Sequence, residues 1–140
     1  MKAVHFGAGK IGRGFIADLI HETGYEITFV DVNEKLNDEL NKYHNYYLYL
    51  IEDNYQRKEI DHVSALSPIT QPEEVTDAIV EADLVTTAVL ADNFPKIARS
   101  LAQGLKARLE AGLTPMGIES FLPVQEEIHQ WSDRRKKIER

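Results

Sequence analysis

Cysteine is absent from this 140-residue chain, which excludes a disulfide framework, a thiolate nucleophile and any cysteine-ligated metal. Positive charge is also scarce: 16 lysines and arginines stand against 23 acids, a formal net charge of -7. That balance removes the broad attraction to phosphate on which nonspecific nucleic-acid or anionic-membrane binding depends, so neither is an expected partner. No apolar run is long enough for a signal core or a membrane span, and a cytoplasmic location is the default expectation. The histidines at 5, 21, 44, 62 and 129 lack the two-ligand spacing of a helical metal site, so no metal is expected, and each reads as packed or solvent-facing. Glu73-Glu74 and Glu126-Glu127 read as helix-start charges, not as paired catalytic carboxylates. Tyr43, Tyr46, Tyr47 and Tyr49 read as packing at a helix end and in a strand, not as a base-stacking platform.

What remains is ample for one core, since 43% of the residues are hydrophobic and the length fits one globular domain. The informative block lies at the start. Lys2-Ala3-Val4-His5-Phe6 reads as a strand, Gly7-Ala8-Gly9-Lys10-Ile11-Gly12 as a glycine turn opening a helix, and Ile27-Thr28-Phe29-Val30-Asp31 as a second strand ending in an acid. Each glycine answers a steric demand of a dinucleotide site: Gly7 permits the tight turn, Gly9 lets the backbone approach a diphosphate, and Gly12 lets the new helix pack closely. The helix start offers free N–H groups and the positive end of its dipole to the phosphates. Asp31 is placed to accept hydrogen bonds from the adenosine ribose and to repel a 2′-phosphate, so NAD is expected over NADP. FAD and other adenosine ligands share the pattern and stay open at this point.

The rest of the chain alternates strands and helices. A first helix is expected from Ile11 to about Glu22, with Phe15, Leu19 and Ile16, Ile20 at helical spacing and Gly24 as its stop. Asn33 is placed to cap a second helix carrying Leu36, Leu40 and Tyr43. Residues 46–51 read as a strand that returns through a turn at 52–54 onto Gln56 to Val63 as a hairpin. Helices are expected from Glu73 to about Ala82 and from Asp92-Asn93 to Gly112, with a buried strand over 83–89 between them. This order predicts an α/β, Rossmann-type doubly wound parallel sheet with a small β-hairpin insertion. In such a sheet ligands lie at the carboxyl ends of the strands, which makes Thr87 and the backbone around Val89 secondary candidates. The alternative is that the two threonines simply end a strand.

The segments Met1 to Ile16, Thr28 to Asn33 and Ala82 to Val89 closely resemble the mannitol-1-phosphate 5-dehydrogenases of the polyol (mannitol) dehydrogenase family. Arg13-Gly14-Phe15-Ile16 and the Asp31-Val32-Asn33 ending carry the resemblance beyond the glycines. It implies an NAD-dependent oxidoreductase of mannitol metabolism, interconverting mannitol 1-phosphate and fructose 6-phosphate. The cofactor set it implies is Ala3, Val4, His5, Phe6, Gly7, Ala8, Gly9, Lys10, Ile11, Gly12, Arg13 and Gly14, with Asp31, Asn33, Thr87 and Val89.

The departures also carry meaning. Lys10 stands where the family usually has asparagine, Ala17 where it has glycine, and Leu90-Ala91 where a glycine-proline pair is common. After Met116 the resemblance ends: Gly117-Ile118-Glu119-Ser120-Phe121 does not reproduce the family's apolar strand and Cys-Glu-Asn segment. The expected division is an NAD-binding domain over 1–116 and a divergent tail over 117–140. That tail reads as helical from Val124, Ile128 and Trp131, and ends in the basic run Arg134-Arg135-Lys136-Lys137. The resemblance implies an all-helical substrate domain that supplies the catalytic lysine, and no counterpart of it is expected within these residues. No catalytic residue is therefore assigned, and the 140 residues alone are expected to be nearly inactive, as a truncated form. The sugar-phosphate substrate is expected to bind only if the missing domain is supplied. The competing reading is a noncatalytic regulatory NAD(H)-binding module; the sequence leaves oligomeric state open.

Overall fold

The computed structural model describes residues 1–51, 54, 56–114, 116–120 and 136–139, with the backbone alone at 119, 120 and 136–139. Five parallel strands form the main sheet: β1 (Lys2–Phe6), β2 (Glu26–Val30), β5 (Val63–Leu66), β6 (Leu84–Thr87) and β7 (Gly117–Ser120), ordered β5-β2-β1-β6-β7. The register His5↔Phe29 and His5↔Thr86 makes β1 the centre, with β2 and β6 beside it. A second, antiparallel sheet is built from β3 (Asn45–Leu50), β4 (Gln56–Asp61) and β8 (Lys136–Glu139), with β3 in the middle.

Strand alternation divides the core into two layers. Ala3, Ile27, Phe29, Val63 and Ala65 point to one face, where they meet Ile16 and Ile20 of the opening helix and Leu40 of α2 (Glu34–Tyr43). Tyr46 and Leu48 of β3 and Ile60 of β4 belong to the same cluster, so the hairpin is fused to this face. Val4, Phe6, Val30 and Val85 point the other way, onto Val75 and Ile79 of α3 (Pro72–Glu81) and Ile97 of α4 (Phe94–Glu110). Gly104 is what lets α3 and α4 approach, because a Cβ there would collide with the Ile79 side chain. The doubly wound sheet with a hairpin insertion is therefore the observed architecture.

Local chemistry explains the element ends. The Asn33 side chain accepts the Leu36 amide at 3.2 Å, the expected N-cap of α2. At its other end His44 takes the left-handed conformation, φ 55°, and returns its amide to the Leu40 carbonyl. Proline occupies the first turns of both α3 and α4. Asn41 closes the outer border of β5: its Nδ2 donates to the Ala65 carbonyl at 2.9 Å and its Oδ1 accepts the Ala65 amide at 2.8 Å.

Several expectations require correction. The helix over residues 10–22 is wound as a π-helix over Gly12–Ile16 and as an α-helix, α1, only over Ala17–Glu22. Ile16, Ala17 and Ile20 face the core, whereas Phe15 and Leu19 are 36% and 48% exposed. The hairpin's return strand ends at Asp61; His62, at φ 54°, turns the chain, and Val63–Leu66 becomes a parallel strand of the main sheet. The strand expected over 83–89 is shorter, Leu84–Thr87, and Ala91–Asn93 forms a 3-10 turn before α4. Of the tail, the described pieces Gly117–Ser120 and Lys136–Glu139 are strands, and Val124, Ile128 and Trp131 lie outside the described residues. Among the described residues no helix is long and apolar enough to cross a membrane.

Candidate dinucleotide-binding site

Backbone hydrogen bonds extend the parallel ladder past the strand ends and bring four carboxyl termini to one rim. Gly7 N–H donates to Val30 at 2.9 Å, Asp31 N–H to Leu66 at 3.1 Å and Ala88 N–H to Phe6 at 2.9 Å. From this rim β1 turns into the opening helix. Gly7 has φ +102°, which glycine alone adopts freely, and a Cβ there would sit 2.7 Å from the Ala88 carbonyl oxygen. The turn after β1 is thus pressed against the turn after β6. A Cβ on Gly12 would fall on the Gly7 carbonyl oxygen and lie 2.8 Å from His5 Nε2. Gly9 differs from both: a Cβ there would meet nothing within 4 Å, so this glycine faces open space above the turn. The first-turn amides of the opening helix beside it have no intrahelical acceptor, which makes this the anion-facing surface.

Ala8 is gripped through both of its backbone groups. Its N–H donates to Asp31 Oδ2 at 2.7 Å, and its carbonyl accepts from Arg13 Nε at 2.7 Å. Asp31 Oδ1 also accepts the Asn33 amide at 2.9 Å, and Asn37 Nδ2 donates to the Asp31 carbonyl at 2.8 Å. A carboxylate has about four acceptor positions, so two remain for further donors. Burial draws the Arg13 guanidinium below its usual range, with Tyr46, Asp31 and Glu39 acting against it. Tyr46 is fully buried, and its hydroxyl donates to the Arg13 carbonyl at 2.7 Å, tying the hairpin to the opening helix. Burial raises the Tyr46 pKa, so the phenol stays protonated and a donor.

The expected residues therefore separate by position. Gly9 and Lys10 are exposed on the rim, Asp31 and Val89 are half-buried beside it, and Ile11 and Arg13 are half-buried at the helix start. Ala3, Val4 and Phe6 are buried within the sheet, and Ala8, Gly12 and Gly14 beneath the turn. The Asn33 side chain is committed to its cap. Thr87 is 2% exposed and lines an apolar recess of about 260 Å3 with Phe94, Pro95, Ile97, Ala98, Leu101 and Ile118, on the β6 side of the rim. Thr86, Asn37 and Tyr46 also shape the site and were missed as site residues. Thr86 lies beside His5 in the sheet, whereas Asn37 and Tyr46 come from separate elements with no shared motif.

A larger depression of about 620 Å3 lies at the opposite, amino edge of the sheet, between Lys2, Glu26, Asp61, His62 and Glu81. There Asp61 accepts from His21 Nε2 at 2.7 Å and His62 Nδ1 at 3.1 Å, which lowers the Asp61 pKa and raises that of His62. Among the described residues no group of three or more His, Asp or Glu side chains is arranged to hold a metal.

The sequence profile of the mannitol dehydrogenase Rossmann domain matches residues 1–121. The mannitol-1-phosphate 5-dehydrogenase of Oceanobacillus iheyensis is 44% identical over 116 residues, covering 83% of this chain and 30% of the relative. That of Enterococcus faecalis is 48% identical over 111 residues, covering 79% of the chain and 29% of the relative. The chain thus spans about 30% of the length of the curated relatives it matches. Among solved structures, D-mandelate dehydrogenase with NADH and anilino(oxo)acetate superposes with a TM-score of 0.56 at 17% identity, covering 93% of this chain and 36% of that one, a likeness of fold.

Proposed function

The chain belongs to the mannitol dehydrogenase family, and from that premise we propose that these residues are the NAD-holding part of a dehydrogenase that interconverts mannitol 1-phosphate and fructose 6-phosphate. The grip of Asp31 on the Ala8 amide carries the reading, because it fixes an acid at the edge of an open, glycine-floored anion site. The backbone around Gly9 and the first-turn amides receive the diphosphate. The two acceptor positions left on Asp31 receive the adenosine ribose hydroxyls, and the same negative charge disfavours a 2′-phosphate. Val89 and the Thr87 recess, on the β6 side of the rim, would hold the remainder of the dinucleotide.

NAD bound in this cleft supplies a hydride acceptor for the alcohol carbon of the polyol phosphate, and NADH the reverse donor. The chain's own contribution is to orient that carrier: Gly7, Gly12 and the Ala8 grips fix the turn, and the β6 turn closes one side of it. None of the site residues named above is assigned the proton transfer that must accompany hydride transfer, so turnover draws on parts of the relatives that these residues do not span. Calorimetric titration of the 140-residue chain with NAD, NADP and FAD tests the reading. NAD is expected to bind, NADP more weakly and FAD not at all. A chain that binds none of them, or prefers NADP, would overturn it. NADH oxidation with fructose 6-phosphate is expected to be negligible for the chain alone.

A further inference from the structure

His5 occupies the centre of the central strand and is 0% exposed. On one side its Nδ1 lies 2.5 Å from Thr86 Oγ1 on β6, and on the other its ring meets Phe29 edge-on, with centroids 5.9 Å apart. Nε2 points up beneath the glycine turn, near enough to the Gly7 carbonyl to feel it but with no partner at hydrogen-bond geometry among the described residues. It lies 2.8 Å from the point where a Gly12 Cβ would stand, and the Gly7 carbonyl oxygen crowds the same point. A buried, unpaired ring nitrogen carries the full desolvation penalty of a polar group, which an apolar residue at this core position would avoid.

We propose that His5 is a positioning residue of the dinucleotide site: anchored to β6 through Thr86, it presents Nε2–H to the underside of the turn and hydrogen-bonds the Gly7 carbonyl when a diphosphate is held above. The inference rests on the NAD reading and extends it to a residue that never touches the ligand. In this arrangement the Thr86 hydroxyl is the donor to Nδ1, 2.5 Å away, which leaves the proton on Nε2. An anion above the turn draws on the loop amides, polarises the peptide groups behind them and makes the Gly7 carbonyl a better acceptor. The turn needs only a small settling to close the contact, since Nε2 and the carbonyl oxygen already border one point. Through β1 and β6 the imidazole also couples the turns that flank the ligand, because Thr86 directly precedes Thr87 and the Ala88–Val89 turn.

Two substitutions separate the ring's nitrogens. His5→Asn retains an amide near Nδ1 and loses the group beneath the turn; His5→Gln extends an N–H to the position of Nε2. By calorimetry, His5→Asn is expected to weaken NAD binding about tenfold, the equivalent of one lost hydrogen bond, and His5→Gln to recover most of it. Thermal unfolding without NAD is expected not to follow that order, as a purely structural role would require. In the wild-type chain, the imidazole 15N resonances are expected to report a proton on Nε2 and to shift when NAD is added. Equal loss of affinity in both variants, unchanged affinity in His5→Asn, or a proton on Nδ1 with Nε2 insensitive to NAD would overturn the proposal. A wild-type chain that binds no NAD would overturn the cofactor reading and this inference together, whereas wild-type binding with any of those three results overturns this inference alone.

Discussion

Asp31 Oδ2 and the Ala8 amide nitrogen lie 2.7 Å apart, so the acid that ends β2 holds the turn that follows β1. One carboxylate thus both shapes the turn and offers acceptors to a ribose. Asp31→Ala is expected to weaken NAD binding by about tenfold or more and to narrow the preference over NADP, with about 1–2 kcal/mol of stability lost with the Ala8 and Asn33 bonds. Parallel titrations with the two cofactors check the first part and denaturant unfolding the second. Unchanged affinity for both would remove the assigned role of Asp31.

Gly9 and Gly12 belong to one motif but fail differently when substituted. A methyl group on Gly9 meets no protein atom within 4 Å, and Gly9 does not have a positive φ, so Gly9→Ala is expected to leave stability within about 0.5 kcal/mol while abolishing NAD binding. On Gly12 the methyl group would strike the Gly7 carbonyl and the His5 ring, so Gly12→Ala is expected to cost about 3 kcal/mol or more before any ligand is added. Melting curves with and without NAD distinguish the two. A Gly9→Ala chain that still binds NAD would show that the diphosphate does not rest there.

Burial pushes the His5 pKa from 6.5 down to about 4, with the Gly7 carbonyl acting against it. Above pH 6.5 this histidine is neutral in both the folded and the unfolded chain, and its contribution is constant. Between pH 6.5 and 4 the unfolded chain takes up the proton and the folded chain does not, so stability falls with falling pH by about 3 kcal/mol, then levels off below 4 as far as this group is concerned. Unfolding free energies across that interval check the slope. His5→Gln is expected to flatten it, and an equally steep curve in that variant would assign the acid sensitivity elsewhere.

The Tyr46 hydroxyl is the polar tie between the hairpin and the opening helix. Tyr46→Phe keeps the ring packed beside Phe29, 6.3 Å between centroids, and removes only the donor to the Arg13 carbonyl. A loss of about 1–2 kcal/mol is expected, with a smaller change in NAD affinity because Arg13 still holds the Ala8 carbonyl. A variant as stable as the parent would mean that the Arg13 carbonyl is satisfied without the phenol.

Features set by local chemistry were legible from the residues alone. The glycine turn, the Asn33 cap, the proline-started helices and the acid at the end of β2 each depend on a few neighbouring positions. The features that escaped depend on partners distant in sequence. The run Val63–Leu66 reads equally well as the end of a hairpin arm; only the left-handed turn at His62 releases it to pair with β2. The π-wound turn over Gly12–Ile16 carries Arg13, whose carbonyl is bonded by Tyr46, a residue 33 positions away that no local pattern links to it. The alternation of β1 places His5 on the same face as Ala3, but the absence of a partner for Nε2 becomes visible only once the turn is folded over it.

The Asn41 amide on Ala65 has a consequence for what this sheet can become. Both backbone groups of Ala65 that would welcome a foreign strand are already satisfied by a side chain, so that margin resists recruitment and edge-to-edge association. Among the described strands β7 forms the other margin, next to β6 alone. Of the two margins of the described sheet, the one beside β7 is therefore the one left open to a further strand, and growth is directed to that side.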